Sequence, residues 1–203
     1  MKTETRYFAK PDIEIRAEND LEAQKAHGYA AVFDANSHDL GGFRERIAKG
    51  AFSRSLEEVA RGEKSIFALW SHDNAMPLGS TKSGKLKLAE DDRGLTFDLD
   101  VKRFNPMMLS ALEDSDLQMS FGFKVREDKW TRLEGEHADE YERTLIDVDL
   151  LEVSFVTTPA YPQTDAAIRS LADFKDEIRA EDNVDTTEQL KQLMFLRLSI
   201  LRG

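Results

Sequence analysis

Cysteine is absent from the 203 residues. Disulfides, thiolate catalysis and cysteine-based zinc sites are therefore excluded, and the absence fits a reducing compartment. Basic blocks are missing too. Lys and Arg number 28 against 39 Asp and Glu, a net charge of -11, so no nucleic-acid partner is expected for the whole chain. No apolar run is long enough to span a bilayer. Met1-Lys2-Thr3-Glu4-Thr5-Arg6 leads into no apolar h-region, so no signal peptide is expected. These absences favour a soluble cytoplasmic protein. His27 and His38 share no metal-ligand spacing, and no HExxH motif occurs. Gly41-Gly42 lacks a phosphate-loop pattern. Neither metal nor cofactor is expected.

Hydrophobic residues make up 40% of the chain and charged residues 33%, enough for a core under a highly charged surface. The length suits one domain of moderate size and a tail. Tyr7-Phe8-Ala9, Ile13-Glu14-Ile15, Gly28 to Phe33 and Phe43 to Ala48 carry strand signals, with a polar loop from Asp34 to Gly42. The period changes after Ala51. Phe52, Leu56, Val59 and Ala60 share one helical face, and Gly62 follows as a stop. Ser65 to Trp70 is nearly all apolar and predicts a strand covered on both faces. Lys85 to Leu88 and Leu95 to Val101 alternate around the turn Glu90 to Gly94, a hairpin pattern. Asn105-Pro106 can start a helix that buries Met107, Met108, Ala111 and Leu112. Leu117 to Val125 returns to strand character. Glu127 to Arg143 reads as a long, mobile polar loop with frayed strand ends, and Tyr141 to Thr157 as a strand bent near Asp147 and Asp149, ended by Pro159 and Pro162. After Gln163 the composition favours helix, with a charged linker at Ala180 to Asp185 and a last helix along Leu190, Leu193, Met194 and Leu201. Many short strands with two internal helices predict an α+β domain on a curled or closed sheet.

Three polar residues stand in strand-like, largely apolar runs. His72 follows Leu69-Trp70-Ser71 at a strand end, where it either bonds a backbone carbonyl or serves as a general base. Ser120 precedes Phe121-Gly122-Phe123. It either points to solvent or acts as a nucleophile, with Gly122 permitting close approach of substrate or oxyanion. Glu152 sits among Leu150, Leu151 and Val153, and its carboxylate needs either an imidazole or an Arg partner. Asp147 and Asp149 compete for the same role. Ser154, at even spacing from Glu152, shares its face in a regular strand and is a rival nucleophile or a supporting hydrogen bonder. His27, His38 and His137 read as surface or loop residues, and Met107-Met108 as core filler.

The order of several segments resembles the tailed-phage prohead serine proteases. The matching stretches are Gly28 to Phe33, Glu45 to Phe52, Leu69 to Asp73, Pro77-Leu78-Gly79, Met119 to Phe123 and Leu151 to Ala160, spread over roughly residues 27 to 165. The resemblance implies a mostly antiparallel β-barrel-like core with a few surrounding helices, similar to the herpesvirus assembly proteases. It implies a Ser nucleophile at Ser120, a His base at His72 and an acid at Glu152. The herpesvirus relatives use a second His in the third role, for which His137 stands in a poor, loop-like context. The implied substrates are scaffold protein, major capsid protein and the protease itself, cleaved in the host cytoplasm inside the assembling prohead (or from a prophage copy). Analogy with the herpesvirus enzymes adds a homodimer. Residues 1–165 would form the protease domain and 166–203 a helical tail with a charged linker, whose composition from about Phe174 onward suits a detachable segment. The same fold without the chemistry would be an assembly factor that binds capsid protein without cleaving it.

Overall fold

A computed structural model describes residues 3–7, 13–18, 23–37, 39–102, 104–114, 116–133, 140–157 and 170–179. The chain divides into two compact units, Met1–Ala166 and Ala167–Gly203. In the second unit, residues 170–179 are helical. The last helix expected from the sequence lies outside the described residues.

The first unit runs β1 (Glu4–Tyr7), β2 (Ile13–Glu18), β3 (Ala23–Val32), β4 (Phe43–Ile47), α1 (Ser53–Ala60), β5 (Phe67–Trp70), β6 (Asp73–Ser80), β7 (Leu86–Glu90), β8 (Gly94–Asp100), α2 (Pro106–Glu113), β9 (Gln118–Arg132) and β10 (Tyr141–Val156). A six-stranded sheet orders β1-β9-β10-β5-β6, with β4 also on β10, and a four-stranded sheet orders β2-β3-β8-β7. The fold is α+β, and among the described residues only the β10–β4 and β10–β5 pairs are parallel. The expected barrel-like core is not a closed barrel. Among the described residues no ladder joins the two sheets, and β1, β6, β2 and β7 end them. The sheets meet through side chains instead: Phe97 of β8 lies edge-on to Phe155 of β10, with centroids 5.6 Å apart.

β10 organises the larger sheet. One edge pairs along its length with β9. The other edge is shared, with Tyr141–Leu145 on β4 and Glu152–Phe155 on β5. The backbone between them would lack partners on this edge, and Ser55 of α1 and Ala51 just before it supply them. The Ser55 hydroxyl donates to Val148 O and accepts from Leu150 N, each at 3.0 Å, and Val148 N donates to Ala51 O. Satisfying these buried groups explains a fully buried serine inside a helix. Arg54 grips Asp147 at 2.9 Å, and Lys64 pairs with Asp149. Both aspartates thus fasten the α1 region.

Several sequence expectations change. The polar loop expected from Glu127 to Arg143 is largely strand, because Tyr141–Leu145 pairs with Arg132–Asp128. Its alternation was hidden because polar residues dominate both faces. Met107 is 71% exposed; Met108 and Leu112, four apart, are buried, and Ala111 packs half-buried against the core. Phe67 is 45% exposed, so β5 is not covered on both faces. Residues 73–80, given no strand in the sequence reading, form β6.

β1 is tied down by charge. Glu4 and Arg6 are buried, and Arg6 contacts Glu45 at 2.6 Å and Glu4 at 2.7 Å. Arg143 reaches Glu4 at 3.1 Å, Glu45 at 3.0 Å and Asp128 at 2.6 Å. Two cations among three carboxylates leave no member of this cluster uncompensated. Burial alone would raise the Glu4 pKa, but Arg143 and Arg6 overcome it and hold the carboxyl below its ordinary 4.5. A depressed carboxyl contributes stability above its unfolded pKa and loses it as pH falls through the folded value. Acid should therefore weaken the wild type below about pH 4.5. Glu4→Gln should melt lower at neutral pH and converge on the wild type in acid, a comparison readable from thermal midpoints between pH 7 and 3.

Candidate active site

The turn joining β5 to β6 has two residues, Ser71 and His72, between the paired Trp70 and Asp73. Both have left-handed backbones, with φ of 53° and 59°. Two positive φ angles are the mark of the tight hairpin turn favoured by strand twist, usually made by Asn and Gly. Ser and His adopt it here at a conformational cost. Ser71 N anchors the turn by donating to Phe155 O at 2.9 Å. Strain held by surrounding contacts often accompanies functional sites. The turn holds the imidazole Nδ1 2.7 Å from Glu152 Oε1.

Glu152 reaches that position through a bulge. Val148 and Leu150 point into the core, and by simple alternation Glu152 would follow them. The register shifts between Leu150 and Glu152 and leaves Leu151 unpaired. After the shift, Val153 and Phe155 face the core, and Glu152 and Ser154 face the opposite side. The Ser154 hydroxyl donates to Glu152 Oε2 at 2.5 Å. Each carboxylate oxygen thus has its own partner.

Ser120 lies directly across from Ser154, and Gly122 across from Glu152, so all four share the outer face. Gly122 is needed there: a Cβ on it would stand 3.0 Å from Glu152 Cδ. The close approach that this glycine permits is thus made by the Glu152 carboxyl. Ser120 is 1% exposed, and its hydroxyl donates to Arg6 O at 2.8 Å. His72 Nε2 is buried and has no hydrogen-bond partner among the described residues. The structure therefore joins His72 to Glu152, sets Ser120 on the same sheet face, and bonds the Ser120 hydroxyl elsewhere. Asp147 and Asp149 are engaged by Arg54 and Lys64, as above, and His137 and His38 lie outside the described residues. His27 is on β3 of the other sheet.

Beside the imidazole runs a trough of about 430 Å³, lined by Thr3 and Thr5 on one flank, Phe67 and Leu69 on the other, with Leu151, Glu152, His72 and Asn74 among its remaining residues. The sequence carried no sign that Thr5 would be here, because a residue of a short edge strand has no pattern of its own. Among the described residues no group of three or more His, Asp or Glu could hold a metal, and no helix is long and apolar enough to cross a membrane.

An imidazole oriented by a carboxylate, beside an open trough on an α+β scaffold, fits a hydrolase that uses a general base. The family profile of the caudovirus prohead serine proteases matches residues 11–177, and the chain belongs to that family. No curated protein and no solved structure matches the chain.

Two outcomes test this geometry. Gly122→Ala should displace the Glu152 carboxyl, moving the low-field Nδ1–H resonance of His72 upfield in proton NMR. Ser71→Asn, better suited to a left-handed backbone, should stabilise the fold by about 0.5–1 kcal/mol in urea denaturation.

Proposed function

We propose that the chain is a serine endopeptidase in which Ser120 is the nucleophile, His72 the general base and Glu152 the orienting acid. The 2.7 Å contact between His72 Nδ1 and Glu152 Oε1 carries this reading, because it leaves Nε2 available to take a proton. Ser120 would lose its proton to Nε2 as its oxygen attacks the scissile carbonyl. Glu152 would hold the tautomer and stabilise the imidazolium that forms. Ser154 touches the carboxylate rather than the imidazole, which suits a supporting role better than that of nucleophile.

Family membership supports capsid-related substrates. We assign scaffold protein and the scaffolding segment of the capsid protein to this role, together with the protease itself, in the host cytoplasm within the assembling prohead. Residues 1–165 would carry the catalysis, with 166–203 as a helical tail that is detachable from about Phe174 onward. A homodimer follows only by analogy with the herpesvirus enzymes. The second reading is a non-cleaving assembly factor, and the Ser120 hydroxyl bonded to Arg6 O favours it.

Co-expression with capsid and scaffold proteins separates the two. The protease shortens a partner, and Ser120→Ala, His72→Ala or Glu152→Ala should each lower that cleavage by at least about a hundredfold. Co-purification without cleavage by the wild type would instead establish the assembly factor.

A further inference from the structure

We propose that the edge of β9 at Ser120–Phe123, covered in this structure by β1, is the docking surface for substrate, which adds there as an extended antiparallel strand, and that β1 is an intramolecular stand-in for it. The inference rests on Ser120 being the nucleophile.

β1 pairs with this edge at the register Glu4↔Phe123, Thr5↔Gly122, Arg6↔Phe121 and Tyr7↔Ser120. Backbone addition to a sheet edge is a general mode of peptide recognition, with affinity from the main chain and specificity from alternate side chains. The Ser120 hydroxyl bonds the carbonyl oxygen of Arg6 at 2.8 Å. A peptide bond therefore lies beside the nucleophile, but the contact is to oxygen rather than an attack on carbon. The same strand leaves Ser120 buried and contributes Thr3 and Thr5 to the trough beside His72. Moreover, β1 precedes the residues 11–177 that match the family. The edge it covers belongs to the family unit; the strand covering it does not.

The chemistry of the occupant can be read from what β1 presents. Alternation sends Glu4 and Arg6 to the inner face, where Arg143 answers Glu4 and Glu45 answers Arg6. Thr5 faces the trough. A substrate strand in the same register would carry an acidic residue followed two positions later by a basic one, with a small residue between. While β1 is docked, only the fraction of molecules with β1 released can react, so apparent reactivity falls by that fraction.

The test measures the rate at which a fluorophosphonate labels Ser120, located by peptide mass spectrometry, in the full-length chain. Wild type is compared with Thr5→Pro, which breaks the β1 ladder, and Arg6→Met, which loosens β1 while Arg143 still pairs Glu45. Both variants should label at least about tenfold faster, as a 1.4 kcal/mol shift toward release would produce. Excess synthetic peptide copying Thr3–Tyr7 should return the rate toward wild type, and the same peptide with its Glu and Arg exchanged should not. Equal or slower labelling in folded variants overturns the proposal and leaves the peptidase reading standing. Unfolding of both variants also overturns it, since β1 would then be structural. No label at Ser120 in any protein removes both the proposal and the peptidase reading.

Discussion

A strand repeats every two residues, and β10 breaks that rule where the site needs it. Leu150 faces the core, Leu151 is left unpaired, and Glu152 emerges on the outer face. Without the extra residue, regular alternation would turn the carboxylate into an apolar interior, where an unpaired charge is costly. With it, one oxygen meets His72 and the other Ser154. The bulge also places Glu152 over Gly122, the one residue type on β9 that leaves room for it. Ser120, Gly122, Glu152 and Ser154 share a face because of this one irregularity.

The same strand explains how the scaffold tolerates its own interruptions. Its second edge passes from β4 to β5, and Ser55 and Ala51 close the gap between them. Lys64 and Arg54 then neutralise Asp149 and Asp147. Of the three carboxylates in this part of β10, two are occupied in holding α1 and its flank. Glu152 alone of the three contacts the imidazole. Charge also holds β1, through Glu4, Arg6, Glu45 and Arg143. A four-residue strand offers little apolar area, so buried and mutually satisfied ion pairs hold it where packing could not.

The chain belongs to the caudovirus prohead serine protease family. On the proposal that Ser120 is the nucleophile, its hydroxyl is held on an internal peptide carbonyl, so the block would be built from contacts rather than missing parts. The imidazole–carboxylate pair stays formed beside a trough, so reactivity would depend on the occupant of one sheet edge.

Much of the fold was legible in the residues. The β7–β8 hairpin, the α1 face of Phe52, Leu56 and Val59 with its Gly62 stop (Ala60, expected on that face, is exposed), and the Asn105-Pro106 start of α2 follow from local spacing and turn chemistry, and Asn105 does cap its helix by accepting from Met108 N at 2.9 Å. The bend of β10 near Asp147 was legible as well. The polar arm of β9 was not, since it finds its pairing only in β10. Nor was β6, whose Pro77 and Gly79 argue against a strand until β5 lies beside it. Open sheet edges replaced the expected barrel because closure depends on how distant strands meet. For the site, the sequence by itself determined which side chains could do chemistry, and that Glu152 and Ser154 lie two apart. Tertiary structure alone decided the strained turn at His72, the bulge that turns Glu152 outward, and the Arg6 carbonyl on Ser120. Each is set by hydrogen bonds between residues far apart in the chain, and no local period encodes them.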